Sequence, residues 1–181
     1  MAMTSELEDQ MIAKTQGYLD ANKTKEAQEE ADALAEVDPK DAIVWYLQGK
    51  VHYSAGEYDE ALSALSRAAQ IQSDHPDIWL VMGYTLIAQR RYEEAVQSLE
   101  YVKAVKPEGV EAPAALGIVH SILGNAAEAK KNVQEALRLD RGGCVTMLEN
   151  FDKQFVSSSP AVTDGTKELV KNLIEKARLV R

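Results

Sequence analysis

Residues 45–61 read Trp45-Tyr46-Leu47-Gln48-Gly49-Lys50-Val51-His52-Tyr53-Ser54-Ala55-Gly56-Glu57-Tyr58-Asp59-Glu60-Ala61, and their signature returns 34 residues later. Trp45 steps to Trp79, Gly49 to Gly83 and then Gly117, and Tyr58 to Tyr92. Ala27, Ala61, Ala95 and Ala129 form an unbroken series at the same spacing. Asp38-Pro39 comes back as Lys106-Pro107 two periods on. A fixed period with no inserted residue is the sequence mark of a stacked repeat. It divides the chain into repeats at 8–41, 42–75, 76–109 and 110–143, and leaves 144–181 as a C-terminal extension.

Within a repeat the pattern is that of two helices. Ala42 to Ser54 carries Trp45, Tyr46, Gly49, Val51 and Tyr53 on its apolar positions, and Asp41 is placed to cap it. Gly56-Glu57 breaks the pattern, and Tyr58 to Ile71 resumes it with Ala61, Leu62, Leu65, Ala68 and Ala69. Gly49, Ala61 and Ala68 are expected where the two helices cross, since bulk there would hold the axes beyond about 8–10 Å. Gly56 suits the left-handed residue that ends a helix. Pro39 and Pro107 lack the N–H that would continue the second helices of their repeats.

The run Trp45…Gly49…Tyr53…Gly56-Glu57-Tyr58-Asp59-Glu60-Ala61…Ala68 resembles the tetratricopeptide repeat, and Trp79-Leu80-Val81-Met82-Gly83…Tyr92-Glu93-Glu94-Ala95 resembles it again. Leu116-Gly117…Gly124-Asn125…Ala129…Ala136-Leu137 is a third match. The first repeat departs from the pattern, with Thr15 for the first small residue and Leu34 for the last alanine. The resemblance covers about three-quarters of the chain and implies an all-α, right-handed α-solenoid of four 34-residue helix-turn-helix units with C-terminal capping helices. In the extension, Cys144, Val145, Leu148, Phe151 and Phe155 fall at helical spacing, and a Ser/Pro break follows at 157–160. From Thr166 a last helix carries Leu169, Val170, Leu173, Ile174 and Ala177 on one stripe. That stripe is expected either to cap the array or to dock in a groove, its own or a neighbour's.

Composition narrows the function. The chain has 181 residues and a net charge of −9, so binding nucleic acid or anionic lipid through overall charge is not expected. The most apolar stretch, Ile78 to Ala88, is about half the ~20 residues that span a bilayer. The acidic start has no apolar segment of the secretory kind, and a single cysteine fits a reducing compartment, so a cytoplasmic protein is expected. His52, His75 and His120 form no metal-binding spacing, and Gly142-Gly143 is expected to be only a turn. Cys144 is expected to be a buried thiol, and pairs such as Asp59-Glu60 to sit at solvated helix starts. No catalytic residue, cofactor or metal is expected.

The resemblance implies that partners bind along the first helices of the repeats. Its groove positions here give Tyr46, Lys50 and Tyr53 in the second repeat, Leu80, Tyr84 and Ile87 in the third, and Ile118 and Ile122 in the fourth. This surface is apolar around one central cation, Lys50, and needs a cover. Either the C-terminal helix supplies it, or a protein or peptide segment with apolar anchors does, using the tyrosines as contact area. The Lys/Asn/Arg clamp for chaperone C-termini is missing, because the corresponding positions hold Tyr46, Lys50, Val81, Glu111 and Ala115. Residues 1–41 carry net −7 and residues 144–181 net +1, an asymmetry that favours head-to-tail homo-oligomers. The expected function is a non-enzymatic adaptor or scaffold, with self-assembly of the magnetosome-associated kind as a variant. The alternative is a cytoplasmic chaperone of secreted proteins, similar to the translocator chaperones of type III secretion.

Overall fold

The computed structural model describes residues 2–157, 159–160 and 162–179, with side chains from residue 6 onward. Every regular element among them is helical. In order they are α1 (Ala2–Asp20), α2 (Thr24–Val37), α3 (Ala42–Ala55), α4 (Tyr58–Ile71), α5 (Pro76–Ala88), α6 (Tyr92–Val105), α7 (Glu111–Ile122), α8 (Ala126–Leu139), α9 (Arg141–Phe151), a π-helical turn (Asp152–Val156) and α10 (Asp164–Leu179). The chain forms two compact bodies, residues 1–85 and 86–181, and the division falls within α5. We propose the 34-residue units as the partition of the sequence; the two bodies are a separate property of the packing.

In the N-terminal body the second helix of each repeat buries a narrow stripe. Ala27, Ala31 and Leu34 are the buried face of α2, and Ala61, Ala64, Leu65 and Ala68 that of α4. Leu34 joins Val44 and Leu47 in one cluster, against Met11, Ile12 and Leu19 of α1. Leu65, Ala68 and Ile78 form another, with Trp45, Tyr46, Val81 and Met82 around them. The crossing of α3 and α4 depends on Gly49: a Cβ there would stand 2.5 Å from Cγ of the buried Leu65. Thr15, one period earlier, is also fully buried, and its hydroxyl donates to the Met11 carbonyl at 2.9 Å, which satisfies the polar atom that a small residue would not have brought.

The recurring tryptophans are staples. The Trp45 indole N–H donates to the Pro39 carbonyl and that of Trp79 to the Ser73 carbonyl, each at 2.8 Å and each six residues back. Asp41 caps α3 by accepting from the Ile43 N–H at 2.8 Å. Gly56 ends α3 at φ +80°, in the left-handed region. Three further residues at the same repeat position adopt it too: Asn22 (φ 55°), Arg90 (φ 62°) and Gly124 (φ 77°).

The C-terminal body is built around α7, which is buried from Ala112 through Ser121. It packs against α6, α8, α9 and α10. Gly117 repeats the crossing of Gly49, since a Cβ there would meet the Val133 side chain at 2.5 Å. Gly142-Gly143 corrects the sequence reading: the pair is the first turn of α9 rather than a connecting turn. Asp140 caps that helix by accepting from the Gly143 N–H at 3.0 Å, and a Cβ on residue 143 would collide with the same carboxylate. The helix that the sequence places from Thr166 onward begins at Asp164. Its inner stripe, Val170, Ile174 and Ala177, is buried, and Arg178 pairs with Glu149 of α9 at 2.7 Å.

Two outcomes follow for stability. Gly49→Val should destabilise the protein by about 2 kcal/mol or more, because overpacking a rigid crossing is not relieved by a rotamer change. Arg90→Gly should stabilise it by about 0.5–1 kcal/mol, because a left-handed conformation costs an L side chain roughly 1–2 kcal/mol. Denaturant unfolding of the two variants beside the wild type checks both signs.

Candidate partner-binding surface

Five of the eight residues expected to meet a partner lie in the N-terminal body and keep part of their surface: Tyr46, Lys50 and Tyr53 on α3, Leu80 and Tyr84 on α5. Lys50 organises its surroundings. Its ammonium donates to Gln16 Oε1 at 2.8 Å, and Gln16 Nε2 in turn donates to Asp20 Oδ1 at 2.7 Å. Gln16 and Lys50 occupy the same position of successive repeats, so the bond joins α1 to α3 at matching points. Lys50 Nζ also lies 5.5 Å from the centroid of the Tyr46 ring, within cation–π range. The His75 ring lies tilted against it, 6.2 Å between centroids, its Nδ1 buried without a hydrogen-bond partner among the described residues. The Tyr53 ring lies 5.9 Å from that of Tyr58.

The electrostatics follow from partial burial. Desolvation holds the Lys50 ammonium below the usual lysine range, against the opposing pull of Asp20 and Asp77. Desolvation, reinforced by the Asp77 charge, pushes the Tyr46 phenol up to about 12. Lys50 therefore carries an incomplete hydration shell, beside a phenol that stays neutral at neutral pH. Such a pair favours an acceptor or carboxylate presented together with apolar side chains.

The three expected residues of the C-terminal body are placed differently. Ile87 and Ile118 are buried, with 1% and 0% of their surface exposed, and Ile122 is half-buried. Neither Ile87 nor Ile118 offers surface to a partner in this conformation, and this corrects their place in the expected groove. The physical reason for Ile118 is the all-round packing of α7, to which the chain's own α9 and α10 contribute. His75 is a neighbour of Tyr46 that repeat spacing does not reveal, because the two are brought together only by the fold.

Among the described residues no group of three His, Cys, Asp or Glu side chains stands close enough to hold a metal. Cys144 is buried, and desolvation followed by the Asp140 charge pushes its thiol up to about 11, which suppresses the nucleophilic thiolate. His52 pairs with Glu57 at 2.7 Å. The cavity lined by Ala42, Ile43, Tyr46, Gln72, His75 and Ile78 is about 10 Å³, at the lower limit for one water. No described helix is long and apolar enough to cross a membrane.

Comparison with known proteins agrees with this geometry. The family model described as anaphase-promoting complex, cyclosome, subunit 3 matches residues 20–102. Among solved structures, that of pilF from Pseudomonas aeruginosa is similar with a TM-score of 0.73 at 23% identity, over 96% of this chain and 78% of that one. A thermophilic TPR protein of Thermus thermophilus, TTC0263, aligns with a TM-score of 0.68 at 13% identity, over 96% of this chain and all of the other. MamA of AMB-1 aligns over the whole of both chains with a TM-score of 0.67 at 20% identity. No curated protein matches in sequence. The chain has the fold of tetratricopeptide-repeat proteins, an α-solenoid of helix-turn-helix repeats.

The phenol gives a direct check on the site. A tyrosine whose folded pKa is raised contributes stability that is complete below its unfolded value near 10 and is lost as pH rises toward about 12. Tyr46→Phe should therefore lose less stability than the wild type as pH rises from 10. Denaturant midpoints in that range test the sign, and an ultraviolet titration of the variant should lack a phenol that ionises at about 12.

Proposed function

We propose that the protein is a non-enzymatic interaction module whose N-terminal body binds a segment of a partner protein along the inner helices α3 and α5. The observation that carries this reading is the part-exposed set Tyr46, Tyr53, Leu80 and Tyr84 around the partly desolvated Lys50. Tyrosines supply contact area at low entropic cost and a hydroxyl that pairs at the rim. The bound segment places an apolar anchor among the rings and an acceptor or carboxylate on Lys50. The module acts as an adaptor or scaffold, bringing that segment's protein into an assembly.

Tyr53→Glu/Tyr84→Glu is the test. The double variant should keep wild-type helicity and melting, since both side chains are part-exposed, and should lose about tenfold or more in affinity for any partner captured by the wild type. A variant that retains every wild-type partner overturns the reading. A melting temperature far below wild type would place the tyrosines in the core and overturn it as well.

A further inference from the structure

The end of the array carries more apolar surface than capping needs. The inner stripe of α10 is already buried, yet Leu169 and Leu173 on the adjoining face are only half-covered, and Leu179 is 79% exposed. Facing them, α8 contributes the half-buried Leu137 and the buried Val133, and the two helices enclose an open groove of about 560 Å³. A terminal helix that only sealed the solenoid would turn a polar face outward.

The charge of the groove is as informative as its shape. Among the described residues its polar lining is Lys130, Gln134 and Lys176, with no carboxylate, in a chain of net charge −9. Three other cations of this body are paired with acids: Lys131 with Glu128, Lys103 with Glu100 and Glu135, Arg178 with Glu149. Among the described residues no carboxylate lies within ion-pair distance of Lys130 or Lys176. Two unmatched ammonium groups therefore rim a leucine-lined trough. On α8 the lining runs from Ala126 to Leu137, about three helical turns.

We propose that the groove between α8 and α10 docks an amphipathic helix of a partner protein, with apolar side chains in the trough and carboxylates along its flanks on Lys130 and Lys176. The binding mode is helix-in-groove, with anchors at three- and four-residue spacing. The site is separate from the tyrosine surface of the N-terminal body and does not rest on it.

The probe is a fluorescein-labelled synthetic peptide of about 14 residues, roughly four turns, with leucines at helical spacing and glutamates on both flanks. A matched peptide carries lysines in place of the glutamates. Fluorescence anisotropy should show the acidic peptide binding the full-length wild type, more weakly as salt rises. Lys130→Glu/Lys176→Glu should weaken it by about tenfold or more and shift preference to the lysine peptide. Both lysines are exposed, so the variant should fold normally. Leu173→Glu should also abolish binding, and Tyr53→Glu/Tyr84→Glu should leave it unchanged. The proposal is overturned by equal affinity for the two peptides, by indifference to the lysine reversal, or by loss of binding in the tyrosine variant alone. Sedimentation showing self-association that the lysine reversal abolishes would assign the groove to a second copy, and would overturn it too.

Discussion

Close approach of the two helices within a repeat is the constraint on which the remaining structure depends. At Gly49 the α3 backbone comes so near Leu65 that a single added carbon has no place, and at Gly117 the same holds against Val133. Short interaxial distances let alanine stripes such as Ala61, Ala64 and Ala68 reach zero or near-zero exposure with little side-chain volume. The larger apolar residues are then free to join one pair to the next, as Leu34 does with Val44 and Leu47. Where the small residue is replaced, at Thr15, the hydroxyl bonds back to its own helix, so the substitution leaves no buried donor unsatisfied.

The corners between the helices impose a second, weaker constraint. Asn22, Gly56, Arg90 and Gly124 share one repeat position and one left-handed conformation, although only two of them are glycine. The periodic packing on either side fixes the backbone, and the residue type then sets only how much strain is tolerated. The staples made by Trp45 and Trp79 act at the other junction, holding each inner helix to the loop before it. Packing at the crossing, chirality at the corner and an indole bond at the entry recur with the period because each is local to one helix pair.

That locality explains what the sequence made legible. Helix pairs, the Asp41 cap and the Gly56 corner follow from neighbours a few residues away, and all could be read from spacing alone. Gly142-Gly143 misled because glycine pairs usually mark turns; the Asp140 cap that recruits them into α9 is visible only when its geometry is. The site was half legible. Tyr46 and Lys50 could be named as candidates by repeat position, but the Lys50–Gln16 bond links residues 34 apart, and His75 meets Tyr46 only through the fold. Ile118 could not be read correctly from the repeat at all, because its burial depends on the packing of elements that lie outside it.

Ile118 shows why equivalent positions do not have equivalent roles. Gln16, Lys50, Tyr84 and Ile118 occupy one register position in successive repeats, yet the first two exchange a hydrogen bond and the last is wholly buried. Identity follows environment: a cation is retained on α3, where water still reaches it, and an isoleucine stands on α7, where a charge would be desolvated without a partner. The repeat lays down a uniform framework, and the extension after residue 143 breaks the uniformity by helping to enclose α7. Enclosing that helix gives the C-terminal body a core of its own. It also leaves α8 and α10 with apolar side chains turned toward solvent, beside two lysines that no acid answers among the described residues.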